Sequence, residues 1–177
     1  MPAPLPLLKP LDIVVILAVH EFANASWTYA TLAKRLGIAD SQAHGSVMRA
    51  VGARLLDSTG RKVRTGNLLE FLEHGIRYAF PVEPGPFTRG VPTGVSAPPL
   101  NALLSRSQTG ELVWPDVDGK VMGQSVIPLH STVPSVARTA PALHELLALV
   151  DALRLGGARE RELAAKELRN RLEPSGD

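Results

Sequence analysis

Gln42, Gly45, Ser46 and Arg49 fall at i, i+3, i+4 and i+7 of a stretch with helical periodicity, so they share one face of a predicted helix. The chemistry available to that set is hydrogen bonding to a flat polar surface at close range. Gln and Arg carry planar groups suited to paired hydrogen bonds, Gln with adenine edges and Arg with guanine edges. A small Gly and Ser between them let the backbone approach, and Ser41 joins the set at the start of the helix. A glycine costs a helix interior roughly 1 kcal/mol against alanine, so Gly45 points to a close approach or a local bend. Ala43, Val47, Ala50, Val51 and Leu55 form the opposite, apolar face. The plainer alternative is a packing helix with an incidental glycine.

A second helix must hold this one in place. Thr28 to Leu36 supplies it, with Leu32, Ala33 and Leu36 as its buried stripe, Gly37 as the positive-φ residue that stops it, and Ile38 as the plug at the corner. Asp40 or Ser41 is the expected cap of the helix that follows. Beyond it, Leu55 to Thr65 reads as a short hairpin turning at Ser58-Thr59-Gly60, with Val63 facing inward and Lys62 and Arg64 facing solvent. Between Thr28 and Gly66 there are seven Lys or Arg and two Asp, a net of +5 inside a chain whose total is +2. Positive charge is therefore concentrated on this segment, the distribution expected of a surface that meets a polyanion.

Over about residues 10–80 this pattern resembles the winged helix-turn-helix transcriptional regulators, broadly of the MarR-like kind. The resemblance implies that the second motif helix enters a major groove and that the hairpin, as a wing, touches the adjacent backbone or minor groove. By position it assigns base reading to Ser41, Gln42, Gly45, Ser46 and Arg49. Backbone and wing contacts go to Thr28, Tyr29, Lys34, Arg61, Lys62 and Arg64. Ala43 stands where a larger branched residue is usual, and the wing is short.

The remaining sequence bounds the architecture. A chain of 177 residues with 45% apolar content can bury one respectable core, or one domain plus an appendage. The absence of cysteine removes disulfides and thiolate metal sites and fits a cytoplasmic location. Leu11 to Val19 followed by Ala23-Asn24-Ala25 imitates a secretory signal, but Asp12 interrupts the run and it is too short to span a bilayer. Leu11, Val14, Val15, Ala18, Val19 and Phe22 instead predict a first helix behind the motif, with Pro10 at its first position. Asn67 to Tyr78 reads as a further helix capped by Asn67 and stopped by Gly75.

From Phe80 to Pro99 prolines and glycines break every periodicity, and the expectation is an ordered wrap with no regular element. Its Arg89 is a candidate contact for an anionic effector, with a structured linker as the alternative. Glu111 to Leu129 predicts a hairpin turning at Asp118-Gly119, with Trp114 as an anchor or a second effector contact. Ala142 to Leu155 and Ala158 to Leu172, separated by Gly156-Gly157, read as a helical hairpin. The expected fold is mainly α with a small β wing. Residues 10–80 form the winged helix-turn-helix domain, 81–135 a Pro/Gly-rich wrap with a short hairpin, and 136–173 a C-terminal helical dimerisation region, or helices that complete the monomer's core.

Catalysis has no sequence support. The five histidines show no metal-ligand spacing, and phosphate loops, nucleophile elbows and dinucleotide fingerprints are missing, so no catalytic residue, metal or cofactor is expected. Two functional classes stand. One is a homodimeric regulator, acting as a repressor, that binds double-stranded DNA at a pseudo-palindromic operator. The other is a protein-interaction module or antitoxin-like adaptor on the same scaffold, with secondary or no DNA binding.

Overall fold

A computed structural model describes residues 1, 4, 6–105 and 110–173. The chain is mainly helical with one small three-stranded mixed sheet. In order, α1 (Pro10–Phe22), α2 (Tyr29–Leu36), α3 (Asp40–Gly52), α4 (Thr65–His74) and α5 (Ile76–Ala79) are followed by β1 (Phe87–Pro92), α6 (Leu100–Leu103), β2 (Leu112–Pro115) and β3 (Val121–Ser125). The helices α7 (Val133–Thr139), α8 (Pro141–Leu155) and α9 (Ala158–Leu172) complete it. No described helix is long and apolar enough to cross a membrane.

Helix α1 is the axis of the molecule. Periodicity alone predicts one buried stripe, yet Ile13, Ile16 and Leu17 fill the other side as well, and every residue from Leu11 to Val19 is buried. A helix apolar all round is stable only when surrounded, and α1 is enclosed by α2, α3 and α8.

Thr28 caps α2 reciprocally with Thr31. The Thr28 hydroxyl accepts from the Thr31 N–H at 3.1 Å, and the Thr31 hydroxyl oxygen accepts from the Thr28 N–H at 2.8 Å. Gly37, at φ +65°, ends the helix in the left-handed conformation. At α3 the capping residue differs from the sequence expectation of Asp40 or Ser41. The helix starts from Ala39, whose N–H donates to Gln42 Oε1 at 3.0 Å, and Asp40 lies in the first turn, where its charge suits the helix dipole. Helix α4 likewise begins two residues before its expected cap, and Asn67 Nδ2 instead donates to the Arg54 carbonyl at 2.8 Å.

Residues 55–64 turn back on themselves through one bridge, Leu56 with Val63, and backbone bonds from Arg64 to Leu55 and from Asp57 to Lys62. The Asp57 carboxylate organises the tip, accepting from the Thr59 hydroxyl and from the Arg61 and Lys62 N–H groups. Gly60 is buried at φ +70° and rests on α3, where an added Cβ would lie 2.6 Å from Val47 Cγ1.

The proline-rich stretch supplies a strand after all. β1 pairs antiparallel with both β2 and β3, and β2 runs parallel to β3, so each strand contacts both others. The expected hairpin of residues 111–129 is therefore corrected. The chain does turn at Asp116–Gly119, but β1 takes up the antiparallel partner sites of both arms. Gly90, shared by the two pairings, makes this crossing possible: a Cβ there would lie 2.0 Å from the Trp114 carbonyl oxygen.

One hydrophobic core contains side chains from Leu11 to Leu172, drawn from all three expected regions. Helix α8, buried at Leu143 and from Leu146 through Arg154, packs on α1, α7 and α9. Its apolar face, expected either to pair subunits or to complete the monomer's core, is covered by its own chain, where it packs on the buried apolar side chains of α1. A buried polar node ties the sheet to α8. Asp151 accepts from the Thr93 hydroxyl at 2.8 Å, Trp114 Nε1 at 2.6 Å and Arg154 Nη1 at 2.8 Å, and Arg154 Nε donates to the Phe80 carbonyl at 2.9 Å.

Candidate nucleic-acid interface

The outward side of α3 is set by what its inward side must bury. Ala43, Val47 and Ala50 face the core, and Ser46 is buried with them at 0% exposure. Ser41, Gln42, His44 and Met48 are exposed, and Gly45 is half-buried among them. The face that reaches solvent thus runs through 41, 44, 45 and 48, about one residue around the helix from the expected face of 42, 45, 46 and 49.

Arg49 accounts for the rotation. Its guanidinium turns inward to Asp12 of α1, with Nη2 at 2.7 Å from Oδ1 and Nε at 2.9 Å from Oδ2. Nη2 also donates to Ser46 Oγ at 3.1 Å. The hydrogen bonds that Arg49 donates to Asp12 outweigh the desolvation and hold the Arg49 guanidinium above its ordinary value. Two expected base-reading residues are therefore corrected: Ser46 is buried and accepts from Arg49, and half-buried Arg49 spends its guanidinium on the buried Asp12 carboxylate. Gly45 has an internal reason as well: a Cβ there would sit 3.3 Å from Arg49 Nη1, so the glycine leaves room for the inward-folded side chain. Gln42 remains exposed but spends its Oε1 on the cap of α3.

The other expected contacts are partly gathered. Tyr29, at the start of α2, meets the His44 ring edge-on at 5.0 Å, and Trp27 meets Tyr29 at 5.7 Å. Arg61 reaches across from the hairpin, its guanidinium 4.2 Å above the Trp27 ring centre and its Nη1 donating to the Trp27 carbonyl at 2.7 Å. The start of α2, the middle of α3 and the hairpin are thereby held as one surface that includes exposed Thr28. Lys62 and Arg64 flank half-buried Val63 and are both exposed. Among the described residues neither lies within 4 Å of a carboxylate as an ion pair. Arg61 and Lys62 also edge a cavity of about 430 Å³ against the loop 23–27. Lys34 lines a different groove, with Glu21, Phe22 and Arg35, against the start of α8.

Desolvation works to raise the Asp57 carboxyl, but the Thr59 hydroxyl and the Lys62 and Arg61 amides prevail and hold it below the usual carboxylate range. The cationic arm of the hairpin is therefore pinned by an ionised turn at neutral pH.

The expected effector contacts separate. Trp114 is closed off at 1% exposure with its indole N–H on Asp151, so it is the anchor and lines no accessible effector site. Arg89 is exposed on β1, paired in register with Met122.

His44 and Met48 are the surface residues that sequence reasoning passed over. The signal was present, since 41, 44, 45 and 48 also follow i, i+3, i+4 and i+7, but nothing local says that Arg49 turns inward. No protein-family model, curated protein or solved structure matches the chain.

Proposed function

We propose that the chain is a sequence-specific double-stranded DNA-binding protein that regulates transcription, with α3 presented to the major groove and residues 55–64 acting as a short wing. One observation carries the reading: the exposed face of α3 is continuous with the hairpin through Tyr29, His44 and Arg61, and the hairpin offers Lys62 and Arg64, which make no ion pair among the described residues. Cations beside an exposed helix face that carries hydrogen-bonding side chains match what a duplex requires, namely phosphate neutralisation next to base contact.

On this reading Ser41 and His44 hydrogen-bond base edges and Met48 offers an apolar contact to a thymine methyl group. Gly45 lets the helix lie close. Thr28 and Tyr29 at the start of α2, with Arg61, Lys62 and Arg64, meet phosphates. Repression follows from occlusion of the bound site. If two copies occupy a pseudo-palindrome, they pair through a surface other than the buried face of α8.

The test is an anisotropy titration of the full chain against duplexes between about 50 and 200 mM salt, combined with selection from a random-sequence duplex library. Binding should weaken linearly on logarithmic axes as salt rises, Lys62→Ala and Arg64→Ala should each reduce the slope by about one, and selection should converge on a site. Salt-indifferent binding, or none, overturns the proposal and favours the interaction-module alternative.

A further inference from the structure

We infer that Asp12, Ser46 and Arg49 are positioning residues for the α3 surface, a buried latch that fixes which side of the helix faces outward. This inference rests on the DNA-binding reading for its functional consequence, but the geometry that motivates it does not.

Asp12 is fully buried on a helix whose next seven residues are all apolar. It accepts the Lys9 N–H at 2.7 Å, which caps α1, and takes the Arg49 guanidinium on both oxygens. Cohesion does not need such a pair. A buried ion pair replaced by apolar side chains of similar volume is often neutral or stabilising, because both charges must be stripped of water. What an apolar pair cannot supply is direction, since hydrophobic contact is indifferent to angle, whereas a two-pronged carboxylate–guanidinium contact fixes both distance and orientation.

The inward side of α3 leaves that task undone by packing. Ala43 and Ala50 are short, so between α1 and α3 there are few large side chains to interlock. Rotation of α3 by one residue, about 100°, would carry His44 and Met48 away from the open side and bring Ser46 and Arg49 into it. The latch opposes that rotation. Ser46 and Gly45 serve it too, one by bonding Arg49 Nη2 and the other by leaving the space through which the side chain folds.

The chain has no cysteine, so single introduced thiols report the rotation without any DNA. The full chain is prepared with Ala43→Cys or His44→Cys, each alone and combined with Asp12→Leu/Arg49→Met, and alkylation rates are compared. With the latch intact, position 44 reacts and position 43 is protected. In the double replacement the ratio of the two rates should fall at least tenfold while cooperative unfolding persists. An unchanged ratio overturns the inference.

The second arm uses DNA. Preference for the selected duplex over a scrambled one of equal length should drop at least tenfold in Asp12→Leu/Arg49→Met, with affinity for the scrambled duplex held within about twofold. Asp12→Asn, which keeps Arg49, should lose preference in the same direction. Retention of preference by Asp12→Asn would show that the carboxylate does not set the outward face and would overturn the latch. If the unaltered chain shows no duplex binding, the DNA reading fails, and the thiol ratio still decides whether the latch positions α3.

Discussion

His44 stands where an imidazole can both donate and accept, braced edge-on by Tyr29 at 5.0 Å. A ring held this way loses little freedom on contacting a base, so truncation should register as lost discrimination rather than lost cohesion. We expect His44→Ala to narrow the preference at one base pair by about 1–3 kcal/mol, read by competition between single-substituted duplexes, with thermal unfolding unchanged. Met48 makes a different demand. Its preference should vanish when thymine is replaced by uracil at one position, a loss of about 0.8 kcal/mol for one methyl group, and Met48→Ala should be blind to that replacement. The sequence disclosed the residue types of this surface but not its rotation. Asp12 lies 37 residues before Arg49, and only the folded chain brings that carboxylate to α3, so polarity alone could not show which polar residues were spent inside.

At the scale of elements, the hairpin depends on Gly60 twice, for its φ of +70° and for the closeness of Val47. Gly60→Ala should destabilise by more than about 1 kcal/mol through backbone strain alone, with crowding adding to it. A protein of this length should show a fall in Tm of about 2–4 °C for each kcal/mol. The same turn has a defined acid limit. Because the folded Asp57 carboxyl sits below its unfolded value, about 3.9, its contribution is complete above that value and is lost as pH falls through the depressed native one. Protection of the Arg61 and Lys62 amides, measured as exchange relative to the intrinsic rate at each pH, should therefore fall as pH drops through the depressed native value, and Asp57→Asn should remove that pH dependence. Both elements of the α2–α3 pair were legible in advance, since Thr28 and Gly37 mark local boundaries that need no distant partner. β1 was not. Phe87–Pro92 contains Gly90 and ends on a proline, which masks strand character, and its register depends on β2 and β3, met more than twenty residues later.

Across the whole molecule, the helices that follow the sheet are structural necessities for those that precede it. Helix α1 buries every residue from Leu11 to Val19, all apolar but Asp12, and α8 covers the part that α2 and α3 leave open. Removal of residues 136–177 should therefore abolish cooperative unfolding of the remainder, measured by circular dichroism, and a stable fragment of residues 1–135 would show that α1 is closed without α8. Leu147→Ala should cost about 2–5 kcal/mol, since that side chain is 1% exposed. The sequence marked α8 and α9 as helices through their leucine spacing, but a buried face reads the same whether its cover comes from another subunit or from its own chain. Two tryptophans give this arrangement a practical use. The Trp27 indole lies under a guanidinium that belongs to the hairpin, while the Trp114 indole is clamped by a carboxylate deep inside. Ultraviolet emission from the unlabelled protein should therefore carry two independent signals, one that responds when the hairpin engages a duplex and one that stays silent until the interior opens.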